Sequence, residues 1–191
     1  MPRPREFDEG QVLETVLKTF WARGYEGTSI EDLTQATGLA RASLYGAFGD
    51  KGRLFERAIA HYMERLAGLT ALVTETASVR EGLRKLLDRW IEIACPKSGP
   101  RGCFLLLSAG QGSNESDLAI ELAAKSNHEL RKTLEAAMRR GQQKGELSST
   151  SEPGMLAELF GVILRGLATS ARIGESRAEL RRAAAAAMEL L

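Results

Sequence analysis

Apolar positions recur along most of this chain at intervals of three and four residues, the spacing that gathers them on one face of an α-helix. Val12, Leu13, Val16, Leu17 and Phe20 make the first such stripe, starting near Asp8 and stopping at Arg23, where Gly24 offers a left-handed cap. Thr28 or Ser29 can cap a short second helix carrying Ile30, Leu33 and Ala36, with Glu31 and Asp32 in its first turn and its end near Gly38. A third helix is predicted from about Ala40 to Phe48, and Asp50 then caps a long fourth helix from Lys51. Ser78-Val-Arg-Glu81 reads as a capping box opening a helix with Leu83, Leu86, Leu87, Trp90 and Ile91 on one face, ended by Pro96. After the Pro96–Pro100 turn come a short apolar helix from about Gly102 to Ala109, a polar Gly110–Ser116 loop and a long amphipathic helix from about Asp117 to Lys144. Pro153 suits the first turn of the next helix, which is apolar on almost every face from Met155 to Leu167. A second box, Ser176-Arg-Ala-Glu179, opens the last helix, whose Leu180, Ala183, Ala184, Ala187, Met188 and Leu191 form a narrow seam.

Alternating β-branched runs and hairpin dipeptides such as Asn-Gly are absent, so the pattern predicts an all-α fold. The 191 residues suffice for one ordinary domain or two small ones. Of the eleven aromatics, eight lie before Ala67, leaving Trp90, Phe104 and Phe160, so two parts with different cores are expected. The amino terminus lacks the apolar segment of a secretion signal, and the longest strongly apolar stretch, Cys103–Leu107, is far short of the ~20 residues that span a bilayer. A cytoplasmic protein without membrane partners follows, with Cys95 and Cys103 as reduced thiols.

Residues 28–48 are a helix, a turn around Gly38 and a second helix, with Ile30, Leu33, Leu39, Leu44 and Phe48 placed for a shared core. That is a helix-turn-helix pattern. Its second helix would meet bases through Arg41, Ala42, Ser43 and Gly46, with Arg41 suited to guanine O6 and N7. Thr28, Ser29, Ser43, Tyr45 and Lys51 carry groups suited to phosphate oxygens. Arg3 and Arg5 form either a basic arm toward DNA or a frayed terminus. The formal net charge is only +1, but residues 38–57 set Arg41, Lys51, Arg53 and Arg57 against Asp50 and Glu56, so any attraction to DNA is local.

Phe20 with Gly24-Tyr25-Glu-Gly-Thr28-Ser29, Ile30-Glu-Asp-Leu33, Gly38-Leu39, Ser43-Leu44-Tyr45, Phe48, Lys51 and Leu54-Phe55 together resemble the DNA-binding domain of TetR/AcrR transcriptional regulators. The resemblance implies about nine helices, with a DNA-binding domain at 1–50 and an effector-binding and dimerisation domain at 51–191. It further implies a homodimeric repressor that holds a palindromic operator and releases it when a small molecule binds. The family's phosphate-contacting tyrosine and lysine fall on Tyr45 and Lys51. Thr34, Thr37 and Gly46-Ala47 depart from the commonest pattern, which puts more weight on Arg41, Tyr45 and Lys51. Family helix order places the dimer interface at Leu156, Phe160, Ile163, Leu164, Leu167, Ala184 and Met188, unless that surface is buried within one subunit. It frames an effector pocket with Trp90, Cys103, Phe104, Ser108 and Phe160, which equally suit an ordinary core.

Cys103, at a helix start two residues after Arg101, is either an electrophile or redox sensor or an inert core thiol, whereas Cys95 reads as packing. His61 and His128 make no close-spaced ligand pair, no phosphate loop or nucleophile elbow occurs, and neither metal, cofactor nor enzymatic activity is expected. The alternatives are a transcriptional activator and an all-helical carrier protein with a vestigial helix-turn-helix.

Overall fold

The computed structural model describes residues 7–110, 116–148 and 150–189, and all regular structure among them is helical. Arg3, Arg5 and Leu191 lie outside the described residues, as does most of the 110–116 loop. The helices are α1 (Glu9–Arg23), α2 (Ile30–Thr37), α3 (Arg41–Phe48), α4 (Lys51–Leu66), α5 (Ala71–Thr74), α6 (Val79–Ala94), α7 (Phe104–Ala109), α8 (Ser116–Gln143), α9 (Pro153–Ile173) and α10 (Arg177–Glu189). The addition to the expected count is α5, whose four residues are too few to show a period. Two compact units emerge, one holding the described residues of Met1–Leu66 and Phe104–Glu121, the other those of Ala67–Cys103 and Leu122–Leu191. The first is larger than the 1–50 segment because α4 and α7 pack against α1.

In the first unit local chemistry sets the helix ends. The Asp8 carboxylate accepts from the amides of Gly10 at 2.8 Å and Gln11 at 3.1 Å, and Gly24 leaves α1 at φ 78°. Ser29 and Asp32 form a complete capping box on α2, and the carboxyl of Asp50 accepts from Arg53 N–H to cap α4. Phe55 anchors the core, with ring centroids 5.2 Å from Phe20, 5.0 Å from Tyr25 and 5.8 Å from Phe104. Tyr62 adds edge contacts to Trp21 and Phe104. Short α2 and α3 cannot supply this bulk, so large rings from α1, α4 and α7 do. Replacing Phe55 by alanine should cost about 3–5 kcal/mol, read as a lowered denaturation midpoint by near-ultraviolet circular dichroism of the tyrosine and tryptophan rings packed beside it. Of the expected shared core Leu39 differs, being only half-buried just after the turn at Gly38 (φ 71°), and Ala36, on the predicted stripe of α2, is exposed. Phe48 packs on Phe7 and beneath the Arg57 guanidinium rather than in the main aromatic cluster.

In the second unit α6 packs against α5, α9 and α10. Gly82 sits on α6 where an added Cβ would come within 2.7 Å of the Leu72 carbonyl oxygen, so this close approach to α5 depends on glycine. Trp90 donates its indole N–H to the Leu164 carbonyl at 2.7 Å, tying α6 to α9. The expected Ser78–Glu81 box is only half made. Ser78 accepts from Glu81 N–H, but Glu81 turns to Lys85, and the returning carboxylate is Glu146, which accepts from the Ser78 hydroxyl and from Val79 N–H at 2.9 and 2.6 Å. The Ser78 hydroxyl, chief among these donors, holds the Glu146 carboxyl below its usual range. A carboxyl depressed in the folded state stabilises above its unfolded pKa near 4.5, and that contribution is lost as pH falls through the folded value. Glu146→Gln should therefore lower Tm at neutral pH and flatten its decline below pH ~4.5, measured by thermal melts across acid pH.

By length and composition it is α9, and not the shorter Cys103–Leu107 stretch, that could cross a bilayer. Leu156, Ala157, Phe160, Leu164, Leu167, Ala168 and Ala171 are buried within the unit, however, as a core helix requires.

Candidate nucleic-acid interface

The α2–turn–α3 segment presents one continuous polar face. Leu44 and Phe48 anchor α3 inward, which leaves Arg41, Ala42, Ser43 and Gly46 exposed and Tyr45 half-buried. No side chain caps α3: its N-cap is Ala40, so the first amides of the helix have no side-chain acceptor and face solvent beside exposed residues. Helix N-terminal amides left in this way suit phosphate oxygens.

The Arg41 guanidinium lies 5.2 Å from the Tyr45 ring centroid and 3.7 Å from a Glu31 carboxylate oxygen. Both contacts are solvent-exposed and weak, so the fork is pre-aimed yet available. The Lys51 ammonium sits 4.0 Å from the centroid of Tyr25, which orients the cation. Gly46 has open space where a Cβ would be, so a partner backbone can approach closely there. Thr37 makes structural use of its departure from the family pattern, its hydroxyl donating to the Leu33 carbonyl at 2.7 Å and accepting from Leu39 N–H at 3.4 Å.

Three expectations are corrected. Thr28 is 1% exposed and donates its hydroxyl to the Gly24 carbonyl at 2.6 Å, so it closes the α1–α2 turn instead of facing phosphate. The Ser29 hydroxyl is exposed but committed to the capping box with Asp32. That box, led by the Ser29 backbone N–H and then its hydroxyl, with Arg23 adding to it, lowers the Asp32 pKa to about 2. Arg57, counted among the local positive charges, turns inward to Glu9 at 3.3 Å and the Ala47 carbonyl at 3.4 Å. The outward cations of residues 38–57 are thus Arg41, Lys51 and Arg53.

Away from this face, Phe104 and Ser108 are buried in the first unit, and Trp90 and Phe160 in the second, where Trp90 is fixed by its bond to Leu164. Cys103 is buried and immediately precedes α7. The guanidinium expected to act on it goes elsewhere: Arg101 donates to Cys95 Sγ at 2.8 Å and to the Glu175 carbonyl. Of the interface residues expected on α9 and α10, Leu156, Phe160, Leu164, Leu167, Ala184 and Met188 are all buried within the chain, and only Ile163 is half-exposed. The large apolar side chains that α9 does expose are Met155 (67%), Leu159 (42%), Val162 (56%) and Ile173 (76%).

The model for bacterial regulatory proteins of the tetR family matches residues 12–58, covering α1 to the first half of α4, and the tetracyclin repressor-like C-terminal domain matches residues 80–187. The chain belongs to the TetR family. It is a DNA-binding transcriptional regulator, and its helix-turn-helix is the nucleic-acid interface of that family. Among curated relatives, the transcriptional repressor ComR of Escherichia coli strain K12 is 33% identical over 98% of this chain and 90% of its own length. The repressor BdcR of the same strain is 27% identical, covering 99% of this chain and 91% of itself. Among solved structures, the TetR-family regulator CifR, as a cysteine mutant complexed with 26bp operator DNA, aligns over 98% of both chains at 32% identity and a TM-score of 0.84. This TetR-family regulator thus shares its whole length with relatives that regulate transcription.

Proposed function

We propose that this regulator is a homodimeric repressor that grips a palindromic operator through α3 of each subunit and is released by a small-molecule effector bound in the 51–191 segment. The observation that carries the DNA reading is the exposed, uncapped start of α3 with Arg41 and Lys51 each oriented over an aromatic ring. Arg41 reads a base edge, while Ser43, Tyr45 and Lys51 hold phosphates and fix register. The carrier alternative has less support, because a vestigial motif has no need to keep two cations in such arrangements.

Dimerisation is supported by an exposed seam on α9. Met155, Leu159, Val162, Gly166, Thr169 and Ile173 follow one another at spacings of four and three residues, and all are exposed. That spacing is the heptad signature of a helix facing another helix, and Gly166 permits close approach. A two-fold pair would place two recognition helices on successive major grooves. Release then requires an effector with higher affinity for a dimer whose recognition helices no longer match the half-sites. The relatives' regulatory roles accord with a cytoplasmic protein that acts by binding DNA.

Titration of a labelled duplex from upstream of the protein's own gene tests this reading. Binding at about 10 nM or tighter at physiological salt, with affinity falling steeply as salt rises, is the expected result. Affinity no better than for random duplex would overturn it.

A further inference from the structure

We infer that the second unit carries an anion-binding cleft for a phosphorylated small molecule, formed by the Pro96–Arg101 turn and the start of α10. The cleft is a shallow depression of about 470 Å³ that lies largely open to solvent, and Lys97, Arg101 and Arg177 line it together with Ser98, Ser176 and the Cys95 thiol. No carboxylate of the described residues lines it. None of the three cations has an acidic partner within salt-bridge distance among the described residues, and what sets them apart is that they converge on one site.

The two guanidiniums are held by neutral acceptors instead. Arg177 Nε donates to the Cys95 carbonyl at 2.5 Å, and Arg101 donates to Cys95 Sγ and the Glu175 carbonyl. These bonds fix position without cancelling charge, and the Arg101 Nε is closed off from solvent with no acceptor. The turn itself is preformed: Pro96 and Pro100 restrict it, and Gly102 N–H bonds the Ala94 carbonyl at 2.7 Å across its base. Preformed cationic sites bind without a large ordering cost. The nearest acid on α10, Glu179, is engaged by the Ser176 backbone N–H and then its hydroxyl, which hold its carboxyl below the usual range.

Charge and geometry point to phosphate over carboxylate. Two held guanidiniums and the exposed Lys97 ammonium exceed what one carboxylate neutralises, whereas a phosphate monoester carries about −1.5 to −2 and three acceptor oxygens that match guanidinium forks. The same oxygens occur on DNA, so the test must separate the two sources.

The full chain is titrated calorimetrically with inorganic pyrophosphate, using chloride of equal ionic strength as the control. Saturable binding and a raised Tm are expected, weakened by about tenfold in Lys97→Gln and again in Arg177→Gln, and unchanged in the exposed control Lys132→Gln. Melting curves of each variant without ligand show that it is folded, and Lys97, whose ammonium makes no bond to the rest of the unit, serves if Arg177→Gln is not. Pyrophosphate binding equal in Lys97→Gln and the parent would overturn the cleft. So would loss of duplex DNA affinity and salt slope in Lys97→Gln without any pyrophosphate binding, which would assign these cations to the DNA backbone.

Discussion

Arg41→Ala is expected to weaken operator binding by ~2–6 kcal/mol per dimer, twice the ~1–3 kcal/mol of a bidentate base contact, because each half-site loses one. The fold should barely register the change. Arg41 gives up only a 3.7 Å ion pair with Glu31 and a ring contact with Tyr45, both at the surface, where such pairs contribute ~1 kcal/mol or less. The loss should appear as relaxed discrimination at one base position, so anisotropy titrations against operators mutated singly are the decisive measurement. Lys51→Gln should behave differently, weakening all sequences alike and reducing the slope of log K against log salt by about 2 for a dimer. Were Arg41→Ala to bind the operator with undiminished affinity and selectivity, α3 would not be reading bases through its first turn.

Much of this interface was legible because its determinants are local. Asp8, Gly24, Ser29 and Gly38 act on amides or carbonyls within a few residues, and Asp50 does the same for α4, so spacing alone predicts both ends of α1 and α2 and the start of α4. The exposed run Arg41–Ser43 follows from Leu44 and Phe48 having to face inward. Where partners lie far apart in sequence, proximity along the chain misleads. Glu146 reaches the Ser78 cap from 68 residues away and displaces the adjacent Glu81 from the box. Arg101, two positions from Cys103, swings back to Cys95 and forward to Glu175. Thr28 reads as a surface hydroxyl in the sequence because nothing local reveals that the α1–α2 turn folds over it.

The same limit explains why most of the expected dimer residues lie in the subunit's own core. A helix apolar on every side has no hydrophobic period by which to tell a face buried in its own subunit from one reserved for a second copy. Only the fold separates Leu156, Phe160, Leu164 and Leu167 from the outward Met155, Leu159, Val162 and Ile173.

That separation makes the dimer testable with opposed variants. Val162→Arg, in the middle of the outward seam, should convert the dimer to monomer at micromolar concentration in sedimentation experiments while leaving the subunit folded, because its exposed site accommodates the charge when the chain is alone. At a two-fold interface the substitution acts twice, and the buried, unpaired guanidinium pair costs several kcal/mol. Operator affinity should fall with it by about 10²–10⁴, since a monomer loses the effective concentration that holds the second recognition helix on its half-site. Leu164→Ala should show the reverse pattern: a loss of ~2–5 kcal/mol in stability from the subunit core, with the dimer retained wherever the chain is folded. A dimeric Val162→Arg would place the subunit contact off the α9 seam. A monomeric, fully folded Leu164→Ala would mean that the two faces of α9 exchange roles in solution, so the pair of results fixes which side of this helix belongs to the partner.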